Sequence, residues 1–286
     1  MDDELFVRPV PVSPAPMDKM QTFRRNAFLR ANKIDPSAPM QLDIWPSNMR
    51  AIPNDLARSA IFTVRNKREP RRAMHQVEVF HLDKSIKITY TGMELRAEDD
   101  ELVWQQIVDY GKHFPLGEPI RFNLHQLCLD LGWSINKRNY ERARKCITYL
   151  KSNDVTIENP RYGQGIGISM ISDYAFENGA EPNQFTRFKV WIHKELIFLF
   201  AGNNYTRLEW SIYRELTPIA RRLYDYMASH REPYPLMLDR FRQMCGSESD
   251  QERSWSVIVR RACGLLNDSG LVKRIWVANE RIYCER

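Results

Sequence analysis

The sequence predicts an α+β fold of two tandem winged-helix domains preceded by a proline-rich N-terminal tail. The main observation is a unit that occurs twice: a short helix with apolar periodicity, a stop at Gly132 or Gly246, and a longer basic amphipathic helix. A segment with the alternation of β-strands follows each copy. This order is typical of a helix-turn-helix that continues into a β-hairpin. Two copies in one chain suit a protein that contacts two stretches of duplex DNA.

Residues 1–53 contain half of the 16 prolines in the chain, and proline interrupts regular structure. We therefore expect a flexible tail there, with one short basic helix between Lys19 and Asn32. Its apolar side chains would lie roughly on one side, and these are Met20, Phe23, Ala27 and Phe28. The first winged-helix domain is expected at residues 54–182 and the second at residues 183–286.

The helices of the first domain have recognisable starts. A helix is predicted from Glu101 to His113, opened by acidic residues that suit the helix dipole. Asn123 is placed to cap the first helix of the repeat. Asn136 or Ser134 is placed to cap the second, which runs from Lys137 to about Ser152.

Residues 155–201 are expected to be rich in strands, with a tight turn at Gly163–Gly167. In the second domain, one helix is predicted over Tyr205–Leu216, and Pro218 opens another. The final strand pair and the turn between its strands are predicted at Val272–Val277, Arg281–Cys284 and Ala278–Glu280.

Composition indicates a globular protein with a polyanionic partner. The chain is 43% hydrophobic and 27% charged, with a net charge of +6 and a pI of about 9.0. The longest apolar run, Leu196 to Ala201, is too short to span a membrane. The start Met-Asp-Asp-Glu lacks the features of a signal peptide, so a cytoplasmic location is expected.

No catalytic or cofactor motif is recognisable. The phosphate-binding GxxxxGK[ST], the zinc-binding HExxH and the nucleophile motif GxSxG are missing. The five cysteines contain no CxxC pair and are expected to be small core residues, so neither a disulfide framework nor a metal site is indicated. We expect no cofactor and no enzymatic activity.

Candidate DNA-binding residues lie early in the longer helix of each repeat and in the second hairpin. Arginine can donate two parallel hydrogen bonds to guanine, and asparagine can do the same with adenine. For each of these residues, the alternative is a solvated helix face. The candidates are Lys137, Arg138, Asn139, Arg142 and Lys145 in the first repeat, Ser249, Gln251, Arg253, Ser256 and Arg260 in the second, and Lys273, Arg274 and Arg281 flanking the hairpin turn.

The sequence closely resembles the TrfA family of bacterial plasmid replication initiators over roughly residues 50–286. Long unbroken strings carry the resemblance, among them Arg58–Lys67, Ile88–Ala97, Asp130–Asn136 and Ser229–Leu236. It implies two winged-helix domains that bind direct repeats (iterons) at an origin, melt an adjacent AT-rich segment and recruit the host replicative helicase. It also implies dimers that become monomers on binding, and AT-rich single-stranded DNA is a further candidate partner. A winged-helix transcriptional repressor is the alternative function.

A pentapeptide in the tail has a separate resemblance. The residues Gln41, Leu42, Asp43, Ile44 and Trp45 are similar to the short peptide QL[SD]LF that docks on the bacterial sliding clamp. The clamp is therefore a candidate partner. The alternative is that Leu42, Ile44 and Trp45 pack on the first winged-helix domain.

Overall fold

The N-terminal half of the protein begins with short elements that lead into a larger sheet. The computed structural model describes residues 19–66, 68–177, 186–247 and 252–286. The first elements are α1 (Lys19–Ala31), β1 (Met49–Pro53), α2 (Asn54–Ala57), β2 (Phe62–Thr63), β3 (Ala73–Val79), β4 (Lys87–Met93) and β5 (Leu95–Arg96). Strands β2 and β5 pair in parallel.

The first repeat contains three helices and two groups of strands. Its elements are α3 (Asp100–Gly111), β6 (Ile120–Asn123), α4 (Leu124–Asp130), α5 (Lys137–Lys151), β7 (Asn153–Asn159), a 3-10 turn (Pro160–Tyr162), β8 (Gln164–Ile168), β9 (Asp173–Glu177) and β10 (Arg187–Trp191). A connecting segment follows, with α6 (Leu196–Phe200), a 3-10 turn (Ala201–Asn203), β11 (Tyr205–Glu209) and α7 (Trp210–Tyr213).

The second repeat is simpler. Its elements are α8 (Pro218–Ala228), β12 (Leu236–Met237), α9 (Leu238–Met244), α10 (Glu252–Ser269), β13 (Arg274–Ala278) and β14 (Arg281–Glu285). Residues Asn279 and Glu280 form the two-residue turn of the hairpin, and both have positive φ angles, as a tight hairpin turn requires.

The two repeats have the same topology. Each runs helix, strand, helix, helix and two strands, and its three strands form an antiparallel sheet with the last strand in the centre. The strand orders are β6-β10-β9 and β12-β14-β13. The short helices end at Gly132 and Gly246, whose φ angles of 70° and 59° lie in the left-handed region that glycine tolerates. The repeated sequence is therefore a repeated structure.

One insertion distinguishes the first repeat. Strands β7 and β8 lie between α5 and β9 and join β3 and β4 in a sheet of order β3-β4-β7-β8. Strand β10 pairs with both β6 and β9, so it belongs to the first repeat. The predicted boundary after residue 182 is therefore wrong, because it separates the two strands of one hairpin. The alternation of apolar and polar residues does not show which distant strand a given strand will pair with.

The predicted flexible tail is wrong for residues 19–53, while residues 1–18 lie outside the described residues. Strand β1 pairs antiparallel with β11 over its whole length. Helix α1 is confirmed, but Leu29 is its fully buried residue, and Met20 and Phe23 are exposed. Prolines limit the length of regular elements, but they do not prevent the side chains between them from entering a core.

Several local predictions are confirmed by hydrogen bonds. The side chain of Asn123 accepts from the backbone N–H of Gln126, and that of Asn136 accepts from Asn139 N–H, so each caps its helix. Pro218 opens α8 behind the capping residue Thr217.

Three predictions of local structure are wrong. Residues 196–200, expected in the strand-rich segment, form the helix α6. The helix expected over Tyr205–Leu216 is the strand β11 followed by the short helix α7, because β1 is available as a pairing partner. The turn expected at Gly163–Gly167 involves only Gly163, and the remainder forms β8.

Candidate nucleic-acid interface

Helix α5 is the longer helix of the first repeat, the predicted DNA-reading helix, and it has one buried and one exposed side. Ala143, Cys146, Ile147 and Leu150 are buried against the core. On the other side Lys137, Arg138 and Lys145 are exposed. The Lys137 side chain is 91% exposed, and its ammonium lies 4.0 Å from a Glu141 carboxylate oxygen, a weak surface contact. Three predicted DNA-binding cations are therefore available to a partner.

Two other predicted residues of α5 are engaged within the protein. The Asn139 amide donates to the backbone oxygen of Ser134 at 2.7 Å, which stabilises the turn before the helix. The Arg142 guanidinium forms an ion pair with Asp99 and lies 4.0 Å from the centre of the Trp133 ring. These contacts give Asn139 and Arg142 a positioning role and do not support the prediction that they contact bases.

The reading helix of the second repeat, α10, presents a different set. Trp255, Val259 and Leu266 are buried. Arg260 is exposed, with one nitrogen 3.4 Å from the backbone oxygen of Val277, and Ser256 is half-buried beside it. Ser249 and Gln251 lie outside the described residues, and so does the side chain of Arg253. Arg261, for which the sequence favours packing or a salt bridge, is also exposed on this helix.

The hairpin of the second repeat carries the remaining predicted cations. Lys273, Arg274 and Arg281 are all exposed. On the outer surface of the sheet, Trp276 stacks on Tyr283 with ring centres 5.5 Å apart, and Arg274 lies 4.9 Å from the Trp276 ring. The hairpin therefore combines positive charge with half-exposed aromatic rings, a combination suited to contacts with nucleic acid.

The matching sheet of the first repeat has a basic surface that sequence analysis missed. Arg121 of β6 is directly opposite Lys189 of β10, and Arg187 lies two residues before Lys189 on the same strand. These residues line a cavity of about 410 Å³, together with Glu177, which lies 3.2 Å from the Lys189 ammonium. The alternation of Arg187, Phe188, Lys189 and Val190 could have indicated this surface, because alternate residues of a strand share a face.

A second cleft of about 410 Å³ lies between α9, α10 and the second hairpin. Arg242 and Arg260 line it, with Asp239 and the ring of Trp255. Arg242 is paired with Asp239 at 2.7 Å, so the charge of this cleft is partly balanced. The predicted positions Ser256 and Arg260 both line this cleft, which therefore opens beside α10.

The pentapeptide Gln41–Trp45 is part of the folded protein, and we call it the strap. Leu42 and Trp45 are only 3% and 2% exposed. The Trp45 indole N–H donates to Asp109 at 2.8 Å, and the Lys112 ammonium donates to the Trp45 backbone oxygen at 3.0 Å. The prediction of a free docking peptide is therefore wrong, and the alternative of packing against the first repeat is confirmed for Leu42 and Trp45.

The other strap residues complete the attachment. The Gln41 amide donates to the backbone oxygen of Lys112 at 3.0 Å, and Asp43 accepts from the Tyr205 hydroxyl at 3.1 Å. Ile44 differs, being 68% exposed. Because Leu42 and Trp45 are the side chains that a groove on a partner would take, their burial removes the basis for docking on the clamp.

The described residues offer no group of three or more His, Cys, Asp or Glu side chains that could hold a metal ion. Cys128, Cys146, Cys245 and Cys263 are buried as free thiols, which confirms their prediction as core residues, and Cys284 is half-buried. Burial raises the pKa of the Cys128 thiol to about 11. Across the parts of the chain that the structure describes, every helix is too short or too polar to cross a bilayer.

Comparison with known proteins identifies the family. The model of the family described as TrfA protein matches residues 23–286. The chain belongs to the TrfA family. The plasmid replication initiator protein TrfA of Escherichia coli is 48% identical over 243 residues, which are 85% of this chain and 63% of that protein. The chain therefore spans less than two thirds of the length of this TrfA relative.

A likeness to a solved structure concerns the fold. The crystal structure of domains 2 and 3 of RctB superimposes with a TM-score of 0.52, covering 81% of this chain and 96% of that one. The two sequences are only 12% identical. A mixed α/β arrangement is thus common to this TrfA-family chain and a protein of very different sequence.

Proposed function

We propose that this protein is a plasmid replication initiator that binds repeated DNA sequences at an origin through two winged-helix domains. The observation that carries the proposal is the repeated topology with exposed cations on both reading helices. A helix of this kind enters the major groove with its early turns against the base edges, and the hairpin approaches the sugar-phosphate backbone. Membership of the TrfA family supplies the link to plasmid replication.

Different residues take different parts in this binding. Arg138 lies in the first turn of α5, where a guanidinium can donate two hydrogen bonds to guanine. Lys145, two turns later, is placed for a phosphate, as are Lys273 at the start of the second hairpin and Arg281 beside its turn. Arg121 and Lys189 add a further phosphate-binding surface in the first repeat.

The later steps of initiation belong to the same proposal. They are opening of an AT-rich segment, contact with that single-stranded DNA, recruitment of the host replicative helicase, and an exchange between dimer and monomer. The resemblance to the family supports them. We propose a cytoplasmic binding protein that works without a cofactor or a catalytic centre of its own. The clamp contact through the strap is not retained.

The test is selection of DNA from a random duplex library, followed by binding measurements at several salt concentrations. An initiator should enrich direct repeats, whereas a repressor with a twofold operator should enrich a palindrome. For about six to ten phosphate contacts, affinity should fall on the order of a thousandfold or more between 50 and 200 mM salt.

A matched pair of variants locates the contact. Replacing Arg138 and Lys145 together with alanine should reduce the salt dependence. The exposed Lys87, which lies in the four-stranded sheet, provides the control when it is replaced with alanine. A salt response as flat as that of a neutral ligand would contradict DNA binding by these surfaces.

A further inference from the structure

The two repeats meet at their first helices, α3 and α8, through a fully buried polar cluster. In this cluster Nη1 of Arg222, on α8, lies 3.0 Å from Glu101 of α3 and 2.9 Å from Asp225 of α8. Its Nη2 donates to the backbone oxygens of Ala57 and Ser59 at 3.1 and 2.6 Å. One guanidinium therefore binds the first repeat, the second repeat and the segment after α2.

Two more side chains complete what we call the Arg222 cluster. The Tyr213 hydroxyl donates to Asp225 at 2.9 Å and accepts a longer hydrogen bond of 3.4 Å from the Gln105 amide. Gln105 belongs to α3 and Tyr213 to α7, so the cluster spans three helices. All five residues of the cluster are completely buried, and they are Glu101, Gln105, Tyr213, Arg222 and Asp225.

The charges of this cluster can balance without solvent. Burial and the neighbouring Glu101 carboxylate raise the pKa of Asp225 well above its usual range, which favours a proton on Asp225. Burial alone would lower the pKa of Arg222, but the neighbouring Glu101 carboxylate outweighs it and keeps the guanidinium charged. Rotation of α8 relative to α3 would leave a charge unpaired in the interior, so the cluster opposes that motion.

Backbone oxygens in or directly before the first repeat accept three further hydrogen bonds, one from α8 and two from the connecting segment that precedes it. Arg221 donates to the backbone oxygen of Ala97 at 2.7 Å. The Trp210 indole and the Arg214 guanidinium both donate to the backbone oxygen of Asp130, at 2.7 and 2.9 Å. Asp130 is the last residue of α4, directly before the turn into the reading helix α5. The connection therefore reaches the DNA-facing part of the first repeat.

We propose that the Arg222 cluster and these anchors make the two repeats one rigid DNA reader, which accepts a single spacing between the two segments it contacts. This inference rests on the proposed DNA-binding function. In this role Arg222 is a positioning residue, since it is buried and touches no DNA. The selectivity for spacing then comes from the protein interior, in addition to any base contact made by α5 and α10.

The geometry of DNA makes this inference testable. One inserted base pair moves the second segment by about 3.4 Å along the duplex and turns it by about 35°. A rigid protein can then engage only one segment with its reading helix. A protein with a flexible connection would follow the displaced segment and keep both contacts.

The experiment uses the full chain and a duplex selected from a random library by the wild-type protein. Binding is measured on that duplex and on duplexes with one base pair inserted or deleted between the two footprinted segments. We expect about a hundredfold or greater loss on the altered duplexes, because the base contacts of one repeat are lost. Equal affinity for all three would overturn the inference and leave the DNA-binding function intact. Failure to enrich any duplex would instead overturn the proposed function and with it this inference.

A variant that removes every charge from the Arg222 cluster tests whether these residues fix the spacing. The triple variant Glu101→Gln, Arg222→Met and Asp225→Asn leaves no buried charge unpaired, so it has the best prospect of folding. It should still bind the original duplex, but the penalty for an inserted base pair should fall below about tenfold, because each repeat retains its own contacts. Arg24→Met, on the exposed side of α1, is the matched control and should retain the wild-type penalty.

One outcome would count against the cluster. A folded triple variant with the wild-type penalty would show that Arg222 does not set the spacing. If circular dichroism shows that the triple variant does not fold, the conservative Arg222→Lys takes its place. Lysine keeps the charge but cannot bind two carboxylates and two carbonyls at once, so the same relaxation is expected.

Discussion

The first and second repeats share a topology but differ in what surrounds them. The first repeat is enclosed by α1, the strap and the sheet β3-β4-β7-β8. In the described residues, the second repeat consists of three helices and a three-stranded sheet. The Arg222 cluster and contacts such as the hydrogen bond from Val64 N–H to the backbone oxygen of Cys245 hold it against the rest of the protein. The comparison teaches that the repeated elements form two similar folding units, whereas the elements found only once determine how these units are held.

The reading helices differ in the same way. On α5, Asn139 and Arg142 are engaged by contacts within the first repeat, which leaves Lys137, Arg138 and Lys145 exposed. On α10, the exposed Arg260 lies 3.4 Å from the backbone oxygen of Val277 in the hairpin. Two predicted residues of α5 therefore anchor that helix within its own repeat, whereas the described contact of Arg260 joins α10 to the hairpin that follows it.

The largest change in stability is expected for a substitution in the strap, which packs against the first repeat. Trp45→Ala removes a buried ring and a hydrogen bond to Asp109 and should lower the free energy of unfolding by about 3–5 kcal/mol. Ile44→Ala is the matched control, because this neighbour is exposed, and it should change stability by less than about 0.5 kcal/mol. Urea unfolding measures both. Equal effects of the two substitutions would mean that the strap does not support the first repeat.

A similar loss is expected at the junction of the repeats. Arg222→Leu leaves Glu101 unpaired in the interior and should cost about 3–5 kcal/mol. The same substitution at the exposed Arg261 should cost less than about 0.5 kcal/mol. Denaturant unfolding followed by two probes, tryptophan fluorescence and circular dichroism, checks this. Only a small loss at Arg222 would break the comparison, since the Arg222 cluster would then not hold the second repeat against the first.

The reading helices should each contribute a smaller amount. Arg138→Ala on α5 and Arg260→Ala on α10 should each weaken specific binding by about 1–3 kcal/mol and relax the base preference of one segment of the duplex. Lys145→Ala should weaken binding to all sequences alike, because a phosphate contact carries no base information. Fluorescence anisotropy with matched and mismatched duplexes distinguishes the two. Unchanged affinity and unchanged preference in both arginine variants would mean that other residues contact the bases.

The smallest effect concerns pH. Because burial raises the pKa of Asp225 in the folded state, its proton stabilises the fold fully below the unfolded pKa of about 3.9, and this contribution is lost as pH rises through the folded value. Asp225→Asn has no proton to lose, so its stability should decline less with rising pH, by at most about 1.4 kcal/mol per pH unit. Asp268→Asn, on the surface of α10, is the control and should retain the wild-type pH profile. A wild-type profile in Asp225→Asn would contradict a buried proton at this position.

Much of the repeated part of the fold could be predicted from the sequence. Helical spacing of apolar residues located α4, α5, α9 and α10, and the asparagines at positions 123 and 136 were recognised as caps because their side chains bond to nearby backbone. Such contacts join residues only three or four positions apart. The exposed positions of Lys137, Arg138, Lys145 and Arg260 followed from the same periodicity.

The candidate interface was only partly predictable. The helical periodicity of α5 predicts that Arg142 lies on the outward side of the helix, available to DNA. In the structure it pairs with Asp99, which lies 43 residues earlier in the sequence. Arg121 and Lys189 form one basic surface only because β6 and β10 pair across more than 60 residues of sequence. Which distant strands will pair cannot be inferred from one sequence alone.

The sequence by itself determined the local elements of the two repeats, their caps and the left-handed glycines that end their short helices, because these depend on interactions within a few residues. The tertiary structure decided the rest. It buried Leu42 and Trp45 of the strap, turned residues 205–209 into a strand by supplying β1 as a partner, and enclosed Arg222 between the repeats. These outcomes depend on contacts between segments that are distant in sequence and meet only when the chain folds. The free energy of burying each side chain is determined by the segments that cover it.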